Sequence, residues 1–498
     1  MSVSLSQQTL GDIDPQVARP TYDRSKVTPG IVHLGVGGFH RAHEAMYLDA
    51  VMNEGKALDF GIVGVGVLAH DQRIVDTLNG QDGLYTLVQK HPDGSLEPRV
   101  IGSLLRMLHA PSDPEAVVAQ MADPAIRIVS LTITEGSYLI DQVTGQFESD
   151  HPSIQGDLQA GAVPTTAFGF IVEALCRRRA SGTTPFTVMT CDNLPGNGDT
   201  AHLSIVAFAR AKDADLADWI DREVPFPNCM VDRITPVTAP GDIEALEEKF
   251  GLVDGWPVVC EPFTQWVLED KFVDGRPSWE DAGVQVVEDV IPYELMKLRL
   301  LNASHQALCY LGYLSGYRYA HEVAGDDLFV KFLLGYMEFE GSPTLPEVPG
   351  VDLEAYRKEL VFRFANPEVR DTLARLCAES SDRIPKWLVP VIRADVAAGR
   401  SVDRSALVVA SWARYAEGVD EKGEPIEIVD HRREAVMAAA ADTSDPLAFV
   451  RDTTLFGDLA EHAAFTEPYL SALESLHEDG AYATVQALEQ RLAAEQGQ

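Results

Sequence analysis

Three polar side chains interrupt an otherwise apolar stretch, Lys297-Leu-Arg-Leu-Leu-Asn302-Ala-Ser-His305. At ~100° per residue in an α-helix, the steps from Lys297 to Asn302 and on to His305 keep them within an arc of about 140°, so one helix face can hold all three. The segment that follows, Gln306 to Tyr319, is rich in Ala, Leu and Tyr, which predicts a buried helix. Burial lowers a lysine pKa toward neutrality, and a neutral amine can take a proton from a substrate hydroxyl. The other reading is structural: Lys297 snorkels to the surface while Asn302 and His305 bridge neighbouring backbone. On these residues alone both readings stand.

The rest of the chain must supply a reaction partner and a frame. Gly30-Ile-Val-His-Leu-Gly-Val-Gly37 reads as a buried strand ending in a glycine turn, with a helix from about Phe39 to Asn53 and a second strand at Phe60–Val67. Gly35, Gly37, Gly38 and Phe39 then lie where a dinucleotide-binding turn needs them: glycines admit a pyrophosphate to the backbone and a helix N-terminus offers N–H donors. His40 stands where the fingerprint has its third glycine, so the pattern is imperfect. Glu54 has roughly the spacing of the ribose-binding acid but precedes the second strand, and Asp71 just past it is better placed. Asp71 favours NAD over NADP by repelling a 2′-phosphate, while His70 and Arg73 leave NADP possible. His40 and His43 could be metal ligands, but no third ligand is suggested and cationic groups suit a phosphate site; no metal is expected.

Further apolar runs, Ile126–Ile133 and Phe186–Thr190, alternate with helical stretches at 166–180 and 203–212, which implies a parallel, doubly wound sheet. Glu135, in Thr134-Glu-Gly-Ser137, and Asn193, in Cys191-Asp-Asn-Leu-Pro195, follow these runs and so lie on the ligand-binding rim. An Asx-turn before Pro195 is the plain alternative for Asn193. Near Pro292 the composition changes to Leu, Ala, Arg and Glu. Helical periodicity recurs at 353–364, 369–377, 388–398 and 404–417, with a loop at 340–350 and one last helical segment from Glu467 that frays after Ala493. The expected fold is therefore α/β: a Rossmann-type domain over 1–288 and a mostly helical substrate domain over 289–498.

With 498 residues and 46% hydrophobic content, the chain can build two cores. Its 40 Lys and Arg against 76 Asp and Glu give a net charge of −36, which argues against nucleic acid and anionic membranes as partners. The six cysteines show no C-x-x-C spacing, and neither a signal segment nor a membrane-spanning run is visible, so a cytoplasmic protein with reduced thiols is expected. No G-x-S-x-G, P-loop or H-E-x-x-H motif appears, which leaves hydride transfer to a nicotinamide as the chemistry that fits.

Gly35-Val-Gly-Gly-Phe-His-Arg-Ala-His43, Thr132-Ile-Thr-Glu-Gly136, Cys191-Asp-Asn-Leu-Pro195, Cys260-Glu-Pro-Phe-Thr-Gln-Trp-Val-Leu-Glu-Asp270 and the Lys297/Asn302/His305 group, taken together and in this order, resemble the polyol-specific long-chain dehydrogenases. Among these the chain looks most like the members that act on D-mannitol at C2. The resemblance runs from about Val27 to beyond Ala410 and implies a zinc-free active site in the cleft between two domains. It implies that Lys297 is the general base, that Asn193 and Asn302 hold the reacting oxygen and that His305 orients the substrate. It further implies that Asp71 faces the adenosine ribose, that Glu294 passes protons to solvent, and that Asp232 and Arg375 contact the remaining hydroxyls. At Arg383 the mannitol members can carry lysine, and the two are not equivalent donors, which leaves substrate preference more open than reaction type. The expectation is NAD-dependent interconversion of D-mannitol and D-fructose by a monomer binding a small polyol or ketose. D-arabinitol, mannonate or fructuronate are alternative substrates, and a cofactor-binding sugar sensor without turnover is an alternative of another class.

Overall fold

The computed structural model describes residues 2–141 and 145–496 and divides into two compact units, Met1–Val290 and Ile291–Gln498. In the first, β1 (Pro29–Leu34), β2 (Gly61–Gly66), β3 (Leu104–His109), β4 (Ile128–Leu131) and β5 (Thr187–Thr190) form a parallel sheet in the order β3-β2-β1-β4-β5. The β-branched run Ile31-Val32 faces both sides of the pleat. Ile31 enters a core with Val51 and Ile62, and Val32 enters the opposite core with Val129 and Phe170. A strand buried on both faces has to be apolar throughout, which is why it reads as a continuous run. The chain moves from β1 to β2 and β3 on one side and then crosses to β4 on the other. The switch point, where such sheets bind ligands, therefore lies beyond the carboxyl ends of β1 and β4.

The helix expected from Phe39 to Asn53 is broken: α1 (Gly38–Ala42) and α2 (Glu44–Asn53) are separated at His43, whose φ of −127° and ψ of −94° are not helical. Asp71 ends a 3-10 turn that leads into α3 (Gln72–Gly80). The expected helices at 166–180 and 203–212 are α4 (Ala167–Ser181) and α5 (Asn197–Lys212), the second beginning earlier than the apolar pattern suggested. A separate three-stranded sheet joins β6 (Cys229–Asp232) antiparallel to β7 (Gln265–Glu269), which pairs parallel with β8 (Gln285–Val287).

The second unit is helical. α6 (Ile291–Met296) runs into a π-helical stretch, Lys297–Asn302, and then into α7 (Ala303–Leu314). α8 (Asp327–Tyr336) likewise continues into a second π stretch, Met337–Gly341, which takes the first two residues of the loop expected at 340–350; a 3-10 turn, Ser342–Thr344, and irregular backbone over 345–350 follow. There follow α9 (Leu353–Phe364), α10 (Leu373–Cys377), α11 (Ser380–Trp387), α12 (Val389–Ala397) and α13 (Asp403–Ala416). The tail is two helices, not one: α14 (Ala463–Glu478) and α15 (Ala481–Gln496) are separated at Gly480, whose φ of +82° suits a helix stop. α15 continues past Ala493, where fraying was expected. Among the described residues no helix is long and apolar enough to cross a membrane, and all six cysteines are free thiols.

Candidate active site

Gly35 takes a φ of +89°, and a Cβ there would lie 2.2 Å from the Thr132 carbonyl oxygen, so β1 and β4 approach too closely for any side chain. Gly37 differs. A Cβ on it would meet only the Gly35 oxygen at 3.9 Å, so nothing in the protein demands glycine there. Gly37 is the N-cap of α1 and no side chain caps that end, while Phe39 lies in its first turn. A backbone that is open on its outer side, with helical N–H groups at its end, suits a pyrophosphate.

A buried polar chain stiffens this turn from below. The Ser130 hydroxyl donates to Glu44 Oε1 at 2.9 Å, His33 Nδ1 and Nε2 lie 2.7 and 2.9 Å from the Ser130 and Thr132 hydroxyls, and Thr132 donates to the Gly35 carbonyl at 2.7 Å. His40 stacks on His33 with ring centroids 3.5 Å apart and 15° between planes. Burial, aided by the neighbouring His33, holds the His40 pKa well below its ordinary value. Contrary to the reading that His40 has no further ligand near it, His33 and Glu44 stand beside it and not His43, whose Nε2 lies 3.0 Å from the Gln265 carbonyl. His33 Nδ1 and His40 Nε2 lie 3.2 and 3.8 Å from Glu44 Oε2, so one ligand atom of each residue falls in a single buried cluster.

On the rim, Asp192 ties the two strand ends together. Its carboxylate accepts from the backbone N–H of Ile133 (3.0 Å) and Thr134 (2.9 Å) and from the Tyr138 hydroxyl (2.7 Å), which positions the loop holding Glu135 against the one holding Asn193. Burial raises the Asp192 pKa against these bonds. Behind Asn193, the buried Asn197 side chain donates to the Asp192 and Cys229 carbonyls and accepts from the Cys229 N–H, joining this loop to β6. Glu135 and Asn193 are exposed and Asp232, at the end of β6, is buried. The next residue, Arg233, donates to the Ala42 carbonyl at the end of α1 and to the Glu261 carbonyl, fastening β6 to the glycine turn. Asp71 accepts from the Leu68 N–H at 2.8 Å, while His70 lies 3.7 Å from its other oxygen and the Arg73 guanidinium lies 5.0 Å from the Trp256 ring centroid.

In the second unit Lys297 opens the π stretch and Asn302 closes it, both buried, while His305 sits in the first turn of α7 with its ring 4.7 Å from that of Phe364. The α-helical angles used to place these side chains on one face do not hold across 297–302. With i→i+5 bonding each turn takes more residues, which turns Asn302 closer to the line of Lys297 than an α-helix would. Glu294 is buried in α6. Arg375 and Arg383 are brought together: Arg383 Nη1 donates to the carbonyls of Arg375 (3.2 Å) and Leu376 (2.8 Å). Gln306 of α7 also donates to the Leu376 carbonyl. Asp371 engages the Arg375 guanidinium through two oxygens at 2.6 and 2.5 Å and raises its pKa. Asp192, Asn197 and Arg233, which sequence reasoning did not single out, tie these loops together through partners remote in the chain.

Residues 29–281 match the mannitol dehydrogenase Rossmann domain and residues 289–477 the mannitol dehydrogenase C-terminal domain. The chain belongs to the mannitol dehydrogenase family. It is a polyol dehydrogenase. It is 46% identical over 474 residues to mannitol 2-dehydrogenase of Aspergillus fumigatus, covering 94% of each chain. It is 45% identical over 496 residues to that of Pyricularia oryzae, covering 97% of this chain and 99% of the relative. Among solved structures, the Pseudomonas fluorescens mannitol 2-dehydrogenase ternary complex with NAD and D-mannitol is 46% identical, with a TM-score of 0.87 over 98% of this chain and 100% of that one. A D-sorbitol dehydrogenase in substrate-free form is 37% identical, with a TM-score of 0.90 over 97% of this chain and 100% of that one.

Proposed function

We propose that this family member interconverts D-mannitol and D-fructose using NAD, with Lys297 as the general acid and base and no metal in the reaction. The observation that carries the reading is the likeness over nearly the whole chain to an enzyme whose structure holds both NAD and D-mannitol. NAD, when bound, accepts the hydride from C2 at its nicotinamide ring. The open backbone at Gly37 and the uncapped start of α1 fit its pyrophosphate, and Asp71 is the acid for its ribose. His70 and Arg73 near Asp71 support a lower but measurable use of NADP.

The protein's part is to move one proton and hold one oxygen. Neutral Lys297 takes the C2 hydroxyl proton as the C2 hydrogen departs with its electron pair, turning the alcohol into a ketone. In reduction the Lys297 ammonium returns that proton to the oxygen. Asn193 and Asn302 donate hydrogen bonds to the oxygen as charge builds on it, a contribution of several kcal/mol when donors are preorganised. His305 orients the polyol, Asp232, Arg375 and Arg383 hold its other hydroxyls, and Glu294 relays the proton away from Lys297.

The likeness to a D-sorbitol dehydrogenase favours one second reading, in which the preferred polyol differs at one centre. Initial rates on D-mannitol, D-sorbitol, D-arabinitol and D-mannonate, each with NAD and with NADP, separate the two. The proposal expects the highest kcat/KM for D-mannitol with NAD. A larger value for any other substrate displaces D-mannitol, and absence of NADH formation with every polyol removes the activity.

A further inference from the structure

The π-helical stretch that carries Lys297 leaves one backbone group to be satisfied from outside. The Ala303 N–H donates to the Leu298 carbonyl, a five-residue step, and the chain continues from Ala303 as the α-helical α7. A return from five- to four-residue steps passes over one carbonyl, and the carbonyl next after Leu298 is that of Arg299. The Tyr336 hydroxyl donates to it at 2.9 Å. Tyr336 is fully buried, and burial pushes its pKa well above the ordinary value, so the hydroxyl remains a donor.

The surroundings fix this contact from both sides. Tyr336 ends α8 where the second π stretch, Met337–Gly341, begins. At its far end a Cβ on Gly341 would lie 2.7 Å from Leu300 Cδ2 and 3.3 Å from the Arg299 oxygen, so the two stretches pack closely there. The Arg299 guanidinium reaches over the same segment to donate to the Thr344 carbonyl at 2.5 Å.

We infer that Tyr336 is a positioning residue for the reaction: by taking up the carbonyl that the π winding strands, its hydroxyl keeps Lys297 in register with Asn302 and His305. The inference rests on the reading of Lys297 as the acid and base. Without the hydroxyl, the stretch is relieved by moving the extra residue along the helix, which rotates Lys297 relative to the two groups that follow it. The amine then meets a different environment, and both the turnover and the pH at which it titrates change.

The test uses the full chain and the Tyr336→Phe variant, with Tyr469→Phe as a control because the Tyr469 hydroxyl is also buried in this unit but has no hydrogen-bond partner. Measured quantities are kcat and its pH profile with D-mannitol, affinity for NADH by fluorescence, and the crystal structure of the variant. Tyr336→Phe is expected to lower kcat at least tenfold and to move the pH limb of kcat by half a unit or more. NADH affinity should stay within twofold and Tyr469→Phe should match wild type. Should Tyr336→Phe not accumulate folded, Gly341→Ala presses on Leu300, a flexible neighbour, and is expected to move the same pH limb. A folded variant with wild-type kcat and pH limb overturns the inference, as does loss of rate with an unmoved pH limb. If wild type oxidises no polyol, the crystal structure still decides: π winding retained at 297–302 in Tyr336→Phe refutes the positioning role, whereas failure of the Lys297 reading shows in Lys297 variants alone.

Discussion

Replacing Asp192 with asparagine exchanges one oxygen for an NH2 group and should disable the rim of the first unit. The carboxylate is 7% exposed and accepts from the Thr134 N–H on Oδ1 and from the Ile133 N–H and Tyr138 hydroxyl on Oδ2. With one backbone N–H on each oxygen, an amide in either orientation sets its NH2 against a donor. The better orientation orphans Thr134, at about 1–3 kcal/mol for a buried unpaired donor. The remaining bonds lose their charge assistance, offset by the easier burial of a neutral amide. Thr134 also adopts a φ of +74° and ψ of +152°, a region used almost only by glycine that costs of order 1–3 kcal/mol and persists only while neighbours enforce it. A net loss of about 2–3 kcal/mol is expected, roughly a 3–5 °C fall in Tm for a unit of this size. If 2 kcal/mol of that is expressed in placing Asn193, kcat/KM falls roughly 30-fold. Thermal denaturation and steady-state rates on the purified Asp192→Asn protein measure both. A Tm within a degree and kcat/KM within twofold of wild type would refute the argument that Asp192 organises the rim.

The two glycines of the turn should fail in different ways. Gly35→Ala is expected to lower Tm sharply because its Cβ collides with the Thr132 oxygen, whereas Gly37→Ala should fold normally and weaken NADH binding at least tenfold in a fluorescence titration. Equal thermal losses would contradict this. Glu340 is a pH sensor of stability: it is buried, accepts from the Arg404 and Ser405 N–H groups at the start of α13, and its pKa is pushed up to about 7, chiefly by burial. The unfolded chain releases this proton near its ordinary value of 4.5 and the folded chain near 7, so between these values the folded state holds the extra proton. Stability should therefore fall as pH rises through that window, by up to about 3 kcal/mol at 1.36 kcal/mol per pH unit. Glu340→Gln should flatten that slope in denaturant melts from pH 4.5 to 7, and an unchanged slope would show that another group titrates there.

Local patterns were legible where one periodicity ran long enough to be recognised. The helix read over 353–364 is α9, and the glycine turn lies between β1 and α1 as its residues required. The break at His43 was not legible because neither glycine nor proline marks it. The π winding at Lys297–Asn302 gives no sequence signal either, since the polar positions Lys297, Asn302 and His305 fall on one face under α-helical spacing as well and so do not reveal an extra residue per turn. Gly480 was a visible stop for α14 that the continuous polarity of the tail obscured. The roles of Asp192, Arg233 and Tyr336 depend on partners remote in sequence, such as Ala42 for Arg233, which only the folded topology supplies. The site residues taken from family resemblance fall at strand ends of the first unit and around the π stretch, α10 and α11 of the second, where their proposed roles can be tested one at a time.

The central claim is that the Lys297 amine carries the proton. Its most direct test is turnover of D-mannitol by Lys297→Ala across pH, alongside NADH affinity and addition of a small primary amine. Loss of kcat by several orders of magnitude is expected, with wild-type NADH affinity and partial recovery by the amine that rises with the amine's unprotonated fraction. Turnover near the wild-type value with the same pH profile would contradict the account.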